Sequence, residues 1–322
     1  MSRSTIVVAG GAGFIGSHLC DALLARGDRV VCVDNLLTGR LVNIADVESH
    51  ERFTFVQRDV AALGRGDLVD AGVDVDDLAA IAHLASPASP KDYLRLPLET
   101  LDAGSRGTST LLALAEASGA RFVLGSTSEV YGDPAEHPQR ETYWGNVNPI
   151  GERSVYDEAK RFAEAITSAH RRCYGVDTGI VRIFNTYGPR LKLDDGRVVS
   201  NFIAQALRGE PLTVYGDGSQ TRSLCYVDDL VGGLIAMIDA DDAGPFNLGN
   251  PTELTMIELA RVVLDLTGSS SNLVFHPLPS DDPRRRRPDI SLATSALGWR
   301  PEISVIDGLT ATVEAIRVEV GV

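Results

Sequence analysis

The feature that most constrains this chain is Gly10-Gly11-Ala12-Gly13-Phe14-Ile15-Gly16, which sets Gly10, Gly13 and Gly16 at G-x-x-G-x-x-G spacing. Residues 4–9 before it are short, β-branched and bounded by glycine, as expected of a buried parallel strand. Residues 14–26 after it place Ile15, Leu19, Leu23 and Leu24 on one helical face, with Gly27 past the end. A tight glycine turn between a strand and a helix lets backbone approach a pyrophosphate and aims the helix's free N–H groups at it. A glycine turn without a ligand is the plainer alternative, and Asp34 at the end of the next strand argues against it. A carboxylate there accepts hydrogen bonds from ribose hydroxyls and repels a 2′-phosphate, so the expected cofactor is NAD. Arg40 is the feature that keeps NADP as an alternative. Asp59, ending the third strand, reads either as an adenine-side contact or as a loop cap.

The strand theme repeats at 30–33, 53–56, 78–84, 122–125 and 180–184, with helical stretches between, notably 94–118 and 154–174. Such alternation specifies a doubly wound α/β fold, a Rossmann-like parallel sheet with helices on both faces. After about residue 185 the segments shorten and Gly-, Pro- and Asp-rich loops appear, with helices expected at 199–208, 228–239, 255–267 and 304–320. The expected organisation is an NAD-binding domain over 1–185 and a smaller α/β substrate lobe over 186–322, possibly exchanging elements.

Charge narrows the partners. With 44 acids against 30 bases the net charge is −14, so nucleic acid is not an expected partner. No apolar run approaches the length needed to span a bilayer, and Arg3 with Ile6-Val7-Val8 runs straight into the structured pattern, so no membrane partner or export signal is expected. The four cysteines, Cys20, Cys32, Cys173 and Cys225, form no C-x-x-C pair, which points to reduced thiols, a cytoplasmic setting and no metal. Lysine occurs only at 91, 160 and 192, so arginine carries nearly all the generic positive charge.

Tyr156 and Lys160 stand four apart and would share a helix face. A free tyrosine, with a pKa near ~10, is a poor base at neutral pH, and a nearby ammonium would favour its phenolate. Such a tyrosine removes a hydroxyl proton while hydride leaves for a nicotinamide. An amphipathic surface pair is the alternative. Upstream, Leu124-Gly125-Ser126-Thr127-Ser128-Glu129 ends a strand with hydroxyls and a carboxylate, where open α/β sheets place their active sites.

At this point the chain resembles the extended short-chain dehydrogenase/reductases acting on sugar nucleotides, and among them the UDP-glucuronate decarboxylases (UDP-xylose synthases). The matching segments span nearly the whole length. They include 83–90, 126–134, 143–145, 148–151, 182–190, 195–202, 212–216, 220–222, 247–251 and 288–290. The resemblance implies NAD-dependent oxidation at C4 of UDP-glucuronate, loss of the C6 carboxylate as CO2 from the resulting β-keto acid, and re-reduction to UDP-xylose. It implies Tyr156 as the base at O4, tuned by Lys160, and Thr127 on the C4 oxygen. Ser128 and Glu129 would lie near C5 and C6, and Arg222 on the substrate carboxylate. Tyr93, Asn185 and Tyr215 would contact substrate, and Arg286, within Arg284-Arg285-Arg286-Arg287, would grip the diphosphate. Acids at Asp281, Asp282 and Asp289 bracket that run, which argues against a localisation signal. NAD would rest on Gly10, Gly13, Phe14, Ile15, Gly16, Asp34, Asn35, Thr38, Gly39, Asp59, Val60, Leu84, Ser86, Tyr156 and Lys160. A homodimer is implied, with helices 94–118 and 154–174 pairing across the axis.

One departure stands out: Gly104-Ser105-Arg106-Gly107-Thr108 replaces the family's Asn-x-x-Gly-Thr pattern, which is expected to loosen either the helix or a water near the active site. A member that lost its grip on the reduced cofactor or the keto intermediate would release UDP-4-keto-xylose. Three other readings stand beside this one. A 4,6-dehydratase needs an acid where Ser128 stands, a 4-epimerase usually lacks the glutamate, and a silent NAD-binding regulator would not need Tyr156 and Lys160.

Overall fold

The computed structural model describes residues 4–277 and 285–321. Arg3, Asp281, Asp282 and Arg284 lie outside the described residues. The first half runs β1 (Thr5–Ala9), α1 (Phe14–Arg26), β2 (Arg29–Asp34), β3 (Phe53–Gln57), α2 (Arg65–Asp70), β4 (Leu78–His83), α3 (Pro90–Arg95), α4 (Pro97–Asp102), α5 (Thr108–Ser118), β5 (Arg121–Thr127), α6 (Ser154–Tyr174) and β6 (Thr178–Ile183). The second half adds β7 (Thr186–Tyr187), α7 (Val198–Leu207), β8 (Leu212–Tyr215), β9 (Thr221–Ser223), β10 (Cys225–Tyr226), α8 (Val227–Asp239), β11 (Phe246–Leu248), β12 (Glu253–Thr255), α9 (Met256–Thr267), β13 (Leu273–His276), β14 (Arg285–Arg286), α10 (Ser291–Leu297) and α11 (Val305–Val320).

Seven strands form one parallel sheet in the order β11-β6-β5-β4-β1-β2-β3. Winding reverses between β1 and β4, so the loops leaving these two strands open a crevice at their carboxyl ends. The glycine loop leaves β1 and Leu84–Ser86 leaves β4, which puts both at that crevice. The middle of each central strand is apolar because both faces are covered: Ile6 and Val8 of β1 enter one core, Val7 and Ala9 the other. The first core continues into α7, α8, α9 and α11, so the two halves share one interior.

The sheet runs on past 185/186, one element of the second part joining it: β11 pairs in parallel with β6, Phe246 opposite Val181 and Leu248 opposite Ile183. The helical stretch at 94–118 is not one helix. Pro97 begins a new segment, and a single π turn at Ala103–Gly107 joins α4 to α5. Gly104 lies in that turn against α6, where a Cβ would come within 2.7 Å of the Ala159 Cβ. Close contact with α6 accompanies the glycine at this position.

Candidate active site

A cavity of about 620 Å³ opens at the crevice, and a smaller recess of about 70 Å³ continues from it around Asp34, Asn35, Gly39, Asp59 and Val60. At one end is the glycine loop. Gly10 has φ +82°, and a Cβ there would fall within 2.7 Å of the Ala85 amide; one on Gly16 would overlap the Gly10 carbonyl. Helix α1 starts at Gly13 with no side-chain cap, so its first N–H groups are left for a ligand. Asp34 accepts from the Ala12 and Leu36 amides at 3.1 and 2.8 Å, which ties the end of β2 to the loop. Burial pushes its pKa up, against those two bonds. These features fit a dinucleotide: a cradle only glycine can line, a helix N-terminus, and a carboxylate at ribose distance along the next strand.

Arg40 lines neither cavity. Its guanidinium reaches Glu319, Asn43 and the Arg190 carbonyl, so it is directed away from the recess that a 2′-phosphate would need. Asp59 caps the turn at Val60–Ala62 through the Ala61 amide, and it lines the recess while accepting from Asn35. Thr38, Leu84 and Ser86 line both spaces, and Phe14 and Ile15 the larger one.

At the other end β5 delivers Thr127 and the turn Ser128–Tyr131, while α6 delivers Tyr156 and Lys160 from one face. The Thr127 hydroxyl hydrogen-bonds the Tyr156 phenol. Lys160 donates to the Gly125 carbonyl at 2.8 Å and lies 6.0 Å from the Tyr156 ring centre. Burial lowers its pKa to about 8, opposed by Glu164 one turn along. Burial likewise pushes Tyr156 up to about 12, opposed first by Thr127 and then, among charges, by Arg197. Tyr93 stacks on Tyr156 with ring centres 5.3 Å apart, and its buried hydroxyl has no hydrogen-bond partner among the described residues.

Arginines dominate the far side of this end. Arg153 donates to Glu129 at 2.9 Å; Arg286, itself buried, meets the same carboxylate oxygen at 3.2 Å and also bonds the Ser128 carbonyl. Burial alone would raise the Glu129 pKa; Arg286, Arg153 and Arg222 overcome it and hold the carboxyl below its usual range. Asp157, beside Tyr156, goes the other way: burial and repulsion from Glu129 push it up to about 7.

Every residue expected at the site lines one of the two spaces, including Asn185, Arg222 and, at the rim, Tyr215. Arg286 differs in detail, since its guanidinium is committed to Glu129 and Ser128 at the strand end that carries Thr127. Sequence reasoning missed Arg153, Arg197 and Asp157. Arg153 stands three residues before Tyr156, one helical turn away, and that spacing was the available signal.

Residues 6–249 match the NAD dependent epimerase/dehydratase family, and the chain belongs to it. Its cofactor is NAD. It is 54% identical to UDP-glucuronic acid decarboxylase 1 of Arabidopsis thaliana over 98% of this chain and 70% of that protein. Its fold is similar to the UDP-glucose 4-epimerase of Thermotoga maritima solved with UDP-glucose, at 30% identity and TM-score 0.89 over 98% of this chain and 99% of that one. It is also similar, at 28% identity and TM-score 0.85 over 98% and 99% of the two chains, to a variant UDP-glucuronic acid 4-epimerase of Bacillus cereus. That structure holds UDP-4-deoxy-4-fluoro-glucuronic acid and NAD.

Proposed function

We propose that this protein is a UDP-glucuronate decarboxylase that forms UDP-xylose. The observation that carries the reading is the convergence of Arg153, Arg222 and Arg286 on the strand end holding Thr127 and Glu129. A sugar bearing a carboxylate needs that positive charge, whereas a neutral hexose does not. The similarity to decarboxylases over almost the whole chain supports it independently.

Held by Gly10, Gly13, Gly16, Asp34 and Lys160, NAD supplies a two-electron acceptor that later returns the electrons. We assign Tyr156 to remove the proton from the C4 hydroxyl, helped by Arg197, and to give it back at the end. Thr127, bonded to that phenol, holds O4 as it becomes a carbonyl. With a ketone at C4, the C6 carboxylate is β to it. The C5–C6 bond then breaks with its electron pair drawn toward the C4 oxygen, CO2 leaves, and C5 takes a proton. Glu129, kept ionised by its arginines, serves as a fixed negative charge. Arg286 sits beside Glu129 and Ser128, which favours a place at the sugar carboxylate over one at the diphosphate. Ser128 offers no carboxylic acid to expel a C6 hydroxyl, which disfavours a dehydratase.

Incubated with UDP-glucuronate, the protein is expected to release CO2 and UDP-xylose, or UDP-4-keto-xylose, read by mass spectrometry and NMR. A 4-keto-6-deoxy sugar from UDP-glucose makes it a dehydratase. UDP-galacturonate without CO2 makes it an epimerase, and NAD binding without turnover makes it a silent binder.

Two finer expectations belong with this reading. The assembly is a homodimer through α4 and α6, supported by Leu98 and Phe162, exposed at 75% and 48% on helices that pack together. The setting is cytoplasmic, supported by Cys20 and Cys32, buried as free thiols. Among the described residues no helix is long and apolar enough to cross a membrane.

A further inference from the structure

The strand that carries Arg286 is only two residues long, β14, paired in parallel with β9 so that Arg286 lies opposite Arg222. So short a strand cannot by its own ladder fix a guanidinium to a fraction of an ångström. Glu129 and the Ser128 carbonyl hold the guanidinium, Ser223 holds the Arg286 carbonyl, and Gln139 holds the backbone that follows. Its side chain is fully buried, 0% exposed, far outside the Tyr156 helix and the glycine loop. Its Oε1 accepts from the Arg287 amide at 2.8 Å, while its Nε2 donates to the Glu136 carbonyl at 2.7 Å. Its backbone repeats the grip: the Gln139 amide donates to the Arg287 carbonyl at 2.9 Å, and its carbonyl accepts from the Asp289 amide at 2.8 Å. Asn247, on β11 of the central sheet, donates to that same carbonyl at 3.0 Å and to the Asp289 carbonyl at 3.0 Å. Tyr131, three residues beyond Ser128, donates to Asn247 at 2.7 Å. Gln139 thus fastens Arg287 and Asp289, which follow Arg286's strand, to Asn247 of the sheet whose strand β5 ends in Thr127.

We propose that Gln139 is a positioning residue for substrate: it locks the 286–289 segment so that the Arg286 guanidinium is held at the sugar's carboxylate. This rests on the decarboxylase reading and on Arg286 facing that carboxylate. Gln139 lies outside the cavity lining, so it acts only through the strand. Loss of its Oε1 would leave the Arg287 amide unpaired and loosen the backbone from which the guanidinium reaches Glu129 and Ser128. The cost then falls on ligands with a carboxylate and spares those without one.

The test measures KM and kcat for UDP-glucuronate, and the inhibition constant of UDP-xylose, on the NAD-loaded enzyme. Gln139→Leu should raise KM and lower kcat so that kcat/KM falls about 10-fold or more, with the UDP-xylose constant within about 2-fold of wild type. In an Arg286→Ala background the same change should add almost nothing. The proposal is overturned if UDP-xylose weakens in step with UDP-glucuronate, which is general damage to the pocket. It is overturned equally if neither changes, or if the two substitutions add in full. If Arg286→Ala leaves kcat/KM for UDP-glucuronate intact, its premise fails instead, and a wild type that evolves no CO2 refutes the decarboxylase reading itself. Should Gln139→Leu not be recovered folded, Gln139→Met, of equal length and without the acceptor, takes its place with the same readouts.

Discussion

The cradle at Gly10–Gly16 and the sugar end around Glu129 share one cavity but are made of different material. The cradle is backbone from consecutive segments, with Asp34 bonded to Ala12 only 22 residues away. The sugar end is charged side chains brought together across the fold: Glu129 meets Arg153 24 residues on and Arg286 157 residues on. A backbone site fails through sterics, since no side chain can be spared where none is used. A charge-built site fails through imbalance, because removing one partner strands another in a place poor in water.

The largest effect should come from Tyr156→Phe, which leaves the cradle whole and removes the only proton carrier assigned to O4. Turnover should fall by about 10³-fold or more with bound NAD unchanged, and unaltered activity would sink that assignment. Gly16→Ala attacks the other region. Its Cβ overlaps the Gly10 carbonyl, so about 2–4 kcal/mol of stability should go together with NAD retention, checked by melting and by cofactor content. A variant that keeps its NAD would show the loop to be less rigid than its geometry.

Glu129→Gln tests the charge balance directly. Arg153 and Arg286 lose their counter-ion, and turnover should drop by about 10²-fold while NAD content holds. Gly104→Asn restores the family's asparagine where Ala159 leaves no room, so it should destabilise by about 1–3 kcal/mol rather than improve turnover. A gain in activity would show that α4 and α6 can part.

The smallest effect is one of pH. Asp157 is raised to about 7 in the fold, so between about pH 4 and 7 the native state keeps a proton that the unfolded chain has lost. Stability from this group is present below pH 4 and is lost as pH rises toward 7. Asp157→Asn should therefore raise the melting temperature by about 2 °C or more at pH 8, and change it least near pH 4. Equal shifts at both would remove Asp157 from the electrostatics of the sugar end.

The same contrast decides what could be read in advance. The helices at 14–26 and 154–174 and the parallel sheet follow from periodicity and glycine, which are local. The cradle was legible for that reason. Thr127, Tyr156 and Lys160 were legible because strand end and helix face each keep their residues within one element. Arg153 and Asp157 were not singled out, since their roles exist only once Glu129 has arrived from another element. The commitment of Arg286 to Ser128 and Glu129 was equally hidden, because nothing near residue 286 in the chain announces a partner near 129. The π turn at Ala103–Gly107 depends on how closely α6 passes, which no pattern in 94–118 records.

The pairing of β11 with β6 has a consequence for how the molecule comes to exist. During synthesis the cofactor sheet stays open at β6 until residues 246–248 have left the ribosome, since the strand that closes that edge is encoded last. The unpaired edge of Thr178–Ile183 then invites another chain. The order of assembly is therefore set from the far end: the sheet begun by the first half is finished by a strand from the second. A fragment cut at residue 185 should aggregate rather than form a small NAD-binding protein.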